Sequence, residues 1–194
     1  MKKQRSLSRS VFSVALVTVL ILSVPLVAMQ FTDAVKWSVT DFIIMGILVF
    51  GTGFSYVLLT RLSPNIVHRA AVGLAIGSTF LLIWANLAVG LIGSGPNAAN
   101  LMYTGIVAIV VIGTFLSRFT TKGMERVMFT AAITLVLFAV IQFLAKMHQY
   151  PGSSVGEIIG INSFFATLFA VSGLLFRYVT LKHLPADANK IAQQ

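Results

Sequence analysis

The chain is organised around residues 84–100, which read WANLAVGLIGSGPNAAN. This stretch joins the end of one long apolar segment to the start of the next through an uncharged turn, marked by Gly95 and Pro96. Two polar side chains, Trp84 and Asn86, lie on the apolar segment just before that turn. In a lipid environment each polar group must find a partner inside the protein or on a bound molecule. We therefore expect a binding site within residues 84–100.

The composition of the chain predicts an integral membrane protein. Hydrophobic residues make up 57% of the 194 residues and charged residues only 10%, with a mean hydropathy of +0.93. A soluble domain of this size would expose too much apolar surface. The net charge of +9 does not indicate nucleic-acid binding, because the basic residues lie between apolar segments and form no continuous basic face.

Six apolar segments are long enough to cross a bilayer core of about 30 Å. They predict an all-α integral membrane protein, a bundle of six transmembrane helices in one domain over residues 1–180, with a flexible cytoplasmic tail at 181–194. The first segment fits either a cleaved signal peptide or a retained helix, and the lack of a clean cleavage motif after it favours a retained helix. The predicted spans are 11–29, 42–60, 66–93, 101–117, 127–145 and 157–176.

The basic residues also predict an orientation. Twelve of the fourteen Lys and Arg residues lie in the N-terminal segment, in the turns at 61–69 and 118–126, or after residue 176. Only Lys36 and Lys146 lie in the alternate loops. Cytoplasmic loops carry such an excess of basic residues, so we expect a multi-pass membrane protein with both termini in the cytoplasm.

The loops opposite the basic side collect the polar residues that could form an outward-facing vestibule. The alternative interpretation is structural: caps, turns and hydrogen bonds between helices would explain the same residues. Asp41, for example, has the position of a helix cap at the start of the second span. The candidate ligand-binding residues are Asp33, Trp37, Asp41, Trp84, Asn86, Asn97, Asn100 and Tyr103.

Small residues on the second span predict close packing against a neighbouring helix. Gly46, Val49, Gly53, Tyr56 and Thr60 follow one another at spacings of three and four residues. Such residues share one helical face, and glycine lets another helix approach closely. The face therefore has a packing role.

Several classes of chemistry are disfavoured by the residues present. The chain has no cysteine, which removes thiolate catalysis, disulfides and Cys-ligated metals. None of the predicted spans carries an interior acidic, basic or histidine side chain, so ion-coupled transport lacks its usual coupling group. No motif supports a nucleophile and base pair built on His148. We therefore predict no catalytic residues, no metal and no cofactor.

Several short blocks of the chain are similar to a known group of proteins. They include MQFTD at 29–33, GTG at 51–53, WANLAVGLIG at 84–93, NAANLMY at 97–103 and LFR at 175–177. Over residues 25–177 the chain resembles a family of small bacterial integral membrane proteins that has no established activity. The resemblance implies a bacterial membrane protein and brings no substrate or cofactor.

The leading hypothesis is a non-enzymatic membrane protein whose outward polar vestibule binds a small ligand, a lipid headgroup or a partner membrane protein. A passive channel or facilitator for a small neutral solute is the alternative, and it would need polar groups along a whole path. Less favoured is an enzyme acting at the outer face through Asp41, His148 or Glu157. The predicted partners are the lipid bilayer and a membrane protein or second copy of the chain, with no nucleic acid.

Overall fold

The computed structural model describes residues 7–93 and 97–191, and within these ranges it is all-helical, with no strand. The predicted turn at Gly95 and Pro96 lies outside the described residues. All six predicted spans are confirmed as helices long and apolar enough to cross a membrane. They are α1 (Leu7–Phe31), α2 (Val39–Thr60), α3 (Ile66–Ala88), α4 (Met102–Leu116), α5 (Thr121–Leu144) and α6 (Val155–Ile191), with 3-10 turns at Ala98–Leu101 and Met147–Gln149.

Three helix ends differ from the predicted ones by five residues or more: the end of α3, the end of α6, and the start of α5, which lies at Thr121 and not at residue 127. The third helix ends at Ala88, five residues before the predicted end, because Gly90 and Gly93 adopt positive φ angles of 74° and 69° that leave the right-handed helix. The sixth helix continues to Ile191, past the predicted end at 176 and through much of the segment expected to be a flexible tail. The first difference changes the position of the candidate site.

The chain divides into two compact units, residues 1–62 and residues 63–194. The first unit is an antiparallel pair of helices, α1 and α2. As the sequence predicts, the glycines of α2 pack closely: a Cβ atom at Gly53 would lie 2.8 Å from Val14 Cγ1, and one at Gly46 would lie 3.4 Å from Leu22 Cδ1. No hydrophobic side chain among residues 7–62 is buried, as expected of helices whose apolar faces meet lipid.

The second unit contains the buried core. Each of its four helices packs against two others: α3 against α4 and α6, and α5 against α4 and α6. The fully buried side chains at the centre include Leu82, Ile106, Met128, Leu135 and Phe169. A buried serine also ties α3 to α6, since Ser172 Oγ donates to the Ala71 carbonyl at 2.9 Å. The four helices thus form a closed group with an apolar interior.

Candidate functional site

The connection between α3 and α4 is held by the side chain of Asn100. Its Oδ1 accepts hydrogen bonds from the backbone N–H groups of Leu91, at 2.8 Å, and Ile92, at 2.7 Å, while its Nδ2 donates to the Ile92 carbonyl at 3.2 Å. The Asn100 side chain is buried, and so are the two residues that it binds. Asn100 therefore supplies the partners that this buried turn of backbone would otherwise lack.

Two further contacts complete this connection. Asn97 caps the 3-10 turn, because its Oδ1 accepts from the backbone N–H of Ala99 at 3.0 Å. The backbone N–H of Gly93 donates to Ser153 Oγ at 2.7 Å. Ser153 belongs to the connection between α5 and α6, so the two connections lie at the same end of the second unit. We call this end, formed by residues 86–93, 97–103 and 145–155, the α3–α4 end.

A ring of three buried polar side chains lies beneath the α3–α4 end. Gln142 Nε2 donates to the Tyr103 hydroxyl at 3.1 Å, that hydroxyl donates to Asn162 Oδ1 at 3.4 Å, and Asn162 Nδ2 donates to Gln142 Oε1 at 3.0 Å. The ring joins α4, α5 and α6 in the apolar interior, and each of its side chains is no more than 1% exposed. We call this cluster the polar ring.

Every hydrogen-bond donor of the polar ring is used. The second hydrogen of Gln142 Nε2 points to Met102 Sδ at 3.3 Å, and that of Asn162 Nδ2 to the Ile158 carbonyl at 2.8 Å. A fully satisfied polar network in a low-dielectric interior rigidifies the helices that carry it. The ring therefore gives the Tyr103 hydroxyl a structural role, although the sequence marks this residue as a candidate for ligand binding. Helical spacing does place Gln142 and Asn162 toward one end of their helices, but it does not show that they meet.

Asn86 is bonded on one side of its amide only. Its Nδ2 donates to the Asn100 carbonyl at 3.2 Å, whereas its Oδ1 is buried and has no hydrogen-bond partner among the described residues. A third span ending at residue 93 predicts Asn86 about 10 Å below the helix end, at 1.5 Å per residue, and this is wrong because α3 ends at Ala88. Asn86 instead lies in the last turn of α3, hydrogen-bonded to Asn100 of the 3-10 turn at Ala98–Leu101.

Trp84 does not face the same way as Asn86. Two residues correspond to about 200° around an α-helix, so the two side chains leave α3 on nearly opposite sides. Trp84 is 43% exposed, which suits an amphipathic ring at the membrane surface. The expected pairing of Trp84 with Asn86 in one pocket therefore does not form on α3.

The remaining candidate residues belong to the α1–α2 unit. Asp41 completes a capping box: its Oδ2 accepts from the backbone N–H of Ser38 at 2.7 Å and from Ser38 Oγ at 2.8 Å. The structural interpretation of Asp41 thus explains its contacts, with Ser38 rather than Asp41 as the N-cap. Trp37 packs edge-on against Phe42, with ring centroids 5.2 Å apart, and Asp33 is exposed in the α1–α2 connection.

Comparisons with protein-family models, with curated proteins and with solved structures give no match for this chain. Three buried polar atoms among the described side chains have no hydrogen-bond partner: His68 Nδ1, Asn86 Oδ1 and His148 Nδ1. Of these three residues, Asn86 also hydrogen-bonds the connection between α3 and α4, through its Nδ2 to the Asn100 carbonyl.

Proposed function

We propose that this chain is a non-enzymatic, multi-pass protein of a bacterial inner membrane that binds a small polar molecule or lipid headgroup at the α3–α4 end. Asn86 Oδ1 is the acceptor for a hydroxyl or amine group of that ligand. The neighbouring Asn100 is not part of the contact surface in this proposal, because its own bonds hold the loop in place. Its carbonyl instead positions the Asn86 amide by accepting from Nδ2.

The observation that carries the proposal is the buried Asn86 Oδ1, which has no hydrogen-bond partner within residues 7–93 and 97–191. Leaving one such acceptor without a partner costs about 1–3 kcal/mol, and a donor on a bound molecule would recover that free energy. Of the polar groups around it, Asn97, Asn100, Gly93 and Ser153 all make short hydrogen bonds, whereas His148 Nδ1 also has no hydrogen-bond partner among the described residues. A buried acceptor beside the well-bonded Asn100 connection favours a place for a ligand.

The polar ring also favours binding over the alternative of a passive channel. A facilitator needs polar groups that stay available to the solute along its whole path. In the second unit the donors of Tyr103, Gln142 and Asn162 are all engaged with one another or with Met102 and the Ile158 carbonyl. The apolar residues around them are buried. This interior supports a static scaffold beneath the α3–α4 end.

The proposed orientation places the α3–α4 end outside the cytoplasm and both termini inside. The chain has no cysteine, so single cysteines can be introduced for labelling by a membrane-impermeant reagent in intact cells. Cysteines at positions 33, 97 and 153 should be labelled from outside, whereas cysteines at 65 and 122 should react only after the cells are opened. Labelling of position 97 only in opened cells would contradict the orientation.

The binding proposal is tested by native mass spectrometry of the protein purified from bacterial membranes in a mild detergent. We expect the wild-type protein to retain an additional mass that Asn86→Leu loses. Asn97→Ala is the matched control, since it removes an amide of the same loop that already has a protein partner, and it should keep the mass. Equal retention by wild type and Asn86→Leu would contradict binding at Asn86, as would a wild-type protein that carries no additional mass.

A further inference from the structure

The α1–α2 unit carries a groove that is separate from the site proposed above. It lies between the two helices, has a volume of about 300 Å³, and is open along one side. Gly53 lets the helices approach closely at its floor, where Val14 fills the space of the missing side chain. The groove is lined by Ser10, Ser13, Val14, Val17 and Thr18 of α1 and by Val49, Gly53 and Val57 of α2.

The body of this groove is apolar in its chemistry. Its valines offer only hydrocarbon, and the hydroxyl groups of Ser13 and Thr18 donate back to the carbonyls of Arg9 and Val14, both at 2.9 Å. Serine and threonine bonded in this way to their own helix add little polarity to a helix surface. The groove extends about 12 Å along α1 from Ser10 to Thr18, at 1.5 Å per residue. Its shape and chemistry suit a hydrocarbon chain.

The end of the groove at Ser10 is positively charged. Arg61, at the end of α2, donates from Nη2 to Ser10 Oγ at 3.1 Å, which holds one guanidinium group across the helix pair. Arg9 is exposed one helical turn before Ser13 on α1, and Ser13 lines the groove. The acidic residues of positions 7–62 are Asp33 and Asp41, and both lie at the opposite end of the helix pair.

We infer that this groove binds an anionic phospholipid. One acyl chain lies along the valines between α1 and α2, and the phosphate lies at Arg9 and Arg61. Guanidinium groups bind phosphate oxygens through charge-assisted hydrogen bonds. A second copy of the chain is the other occupant to consider, but its segments proposed for this side of the membrane carry twelve basic residues against two acidic ones, Glu125 and Asp187, and would bring net positive charge to this basic end. The charge of the groove therefore favours the lipid.

Native mass spectrometry of the full-length protein, titrated with phosphatidylglycerol or phosphatidylcholine of identical acyl chains, tests the assignment. We expect the wild-type protein to bind phosphatidylglycerol about 25-fold more tightly than phosphatidylcholine, the ratio that corresponds to about 1 kcal/mol for each of Arg9 and Arg61 near an anionic headgroup. Arg9→Gln should reduce the ratio of the two affinities about fivefold. Lys36→Gln, at the opposite end of the same unit, is the matched control and should leave it unchanged.

The acyl-chain half of the assignment has its own variant. Val57→Phe fills the groove and should weaken the binding of both lipids by a similar factor. Val49→Phe repeats the test if the first variant lowers the thermal stability. Equal binding of the two lipids by the wild type would overturn the headgroup assignment. Unchanged binding by both filled variants would overturn the groove, and so would a dimer mass that disappears when the groove is filled. None of these outcomes bears on Asn86, so the two sites can fail separately.

Discussion

Asn86 and Asn100 are the same residue type at the same end of one helical unit, and the structure uses them differently. Asn100 accepts two backbone hydrogen bonds at its Oδ1 and donates a third from its Nδ2, all to the turn that follows α3. Asn86 donates one bond and, in the part of the chain that the structure describes, accepts none. Residue type alone therefore does not identify a binding group. What distinguishes the two amides is whether the acceptor already has a protein donor.

The polar ring extends this comparison into the interior. Tyr103, Gln142 and Asn162 are more deeply buried than Asn86, which by itself would make them stronger candidates for a functional role in a membrane. Their donors are nevertheless all used within the protein. We therefore expect substitutions in the ring and at Asn100 to lower stability, and substitution of Asn86 to affect binding instead.

The largest loss of stability is expected for Asn100→Leu. The change leaves the buried N–H groups of Leu91 and Ile92 without their acceptor, and each unpaired group costs about 1–3 kcal/mol. We expect the free energy of unfolding in detergent to fall by about 3 kcal/mol, measured by chemical denaturation. Asn97→Ala removes the cap of the 3-10 turn and should lower the free energy of unfolding by about 1 kcal/mol. Equal losses for the two variants would show that Asn100 does not hold the turn.

A smaller loss is expected when the polar ring is broken. Gln142→Leu removes the donor to Tyr103 and the acceptor for Asn162, and should lower the free energy of unfolding by about 2 kcal/mol, near the upper end for polar contacts between membrane helices. The double variant with Tyr103→Phe should lose less than the two single variants together, because they break a shared bond. Strict additivity would contradict a closed ring.

The turn between Asn86 and Asn100 should respond to Gly93→Ala. Gly93 has a φ of 69°, and a Cβ atom there would lie 3.1 Å from Asn97 Nδ2. A non-glycine residue in this conformation costs about 1 kcal/mol, and we expect a loss of that size in the same denaturation measurement. Gly77→Ala is the control, since a Cβ atom at Gly77 meets nothing within 4 Å. A neutral Gly93→Ala would show that the turn after α3 does not require the positive φ of Gly93.

The smallest effect on stability is expected at Asn86 itself. Asn86→Leu removes the bond to the Asn100 carbonyl but also removes the unpaired Oδ1, and these two contributions of about 1 kcal/mol each act in opposite directions. In delipidated protein, the free energy of unfolding should change by less than about 1 kcal/mol. A loss as large as that of Asn100→Leu would make Asn86 a structural residue.

Hydrophobic patterning and the positions of basic residues were sufficient to predict the six helices of this chain, because a membrane span needs only length and apolar composition. The end of α3 at Ala88 is not marked in the sequence, since Gly90 and Gly93 lie in an apolar run whose pattern continues to residue 93. A helix that ends at residue 93 places Asn86 too far from the helix end. The polar ring could not be predicted, because the rotation of α4, α5 and α6 about their axes is fixed by packing and not by the spacing of their few polar residues.

A structure of the protein purified in native lipids would show whether Asn86 Oδ1 accepts a hydrogen bond from a bound molecule. We expect density for a non-protein molecule, larger than one water, with a donor atom about 2.7–3.2 Å from Asn86 Oδ1. In the same map Asn100 should keep its bonds to Leu91 and Ile92. A protein donor bonded to Asn86 Oδ1, or hydrocarbon alone beside it, would contradict the account.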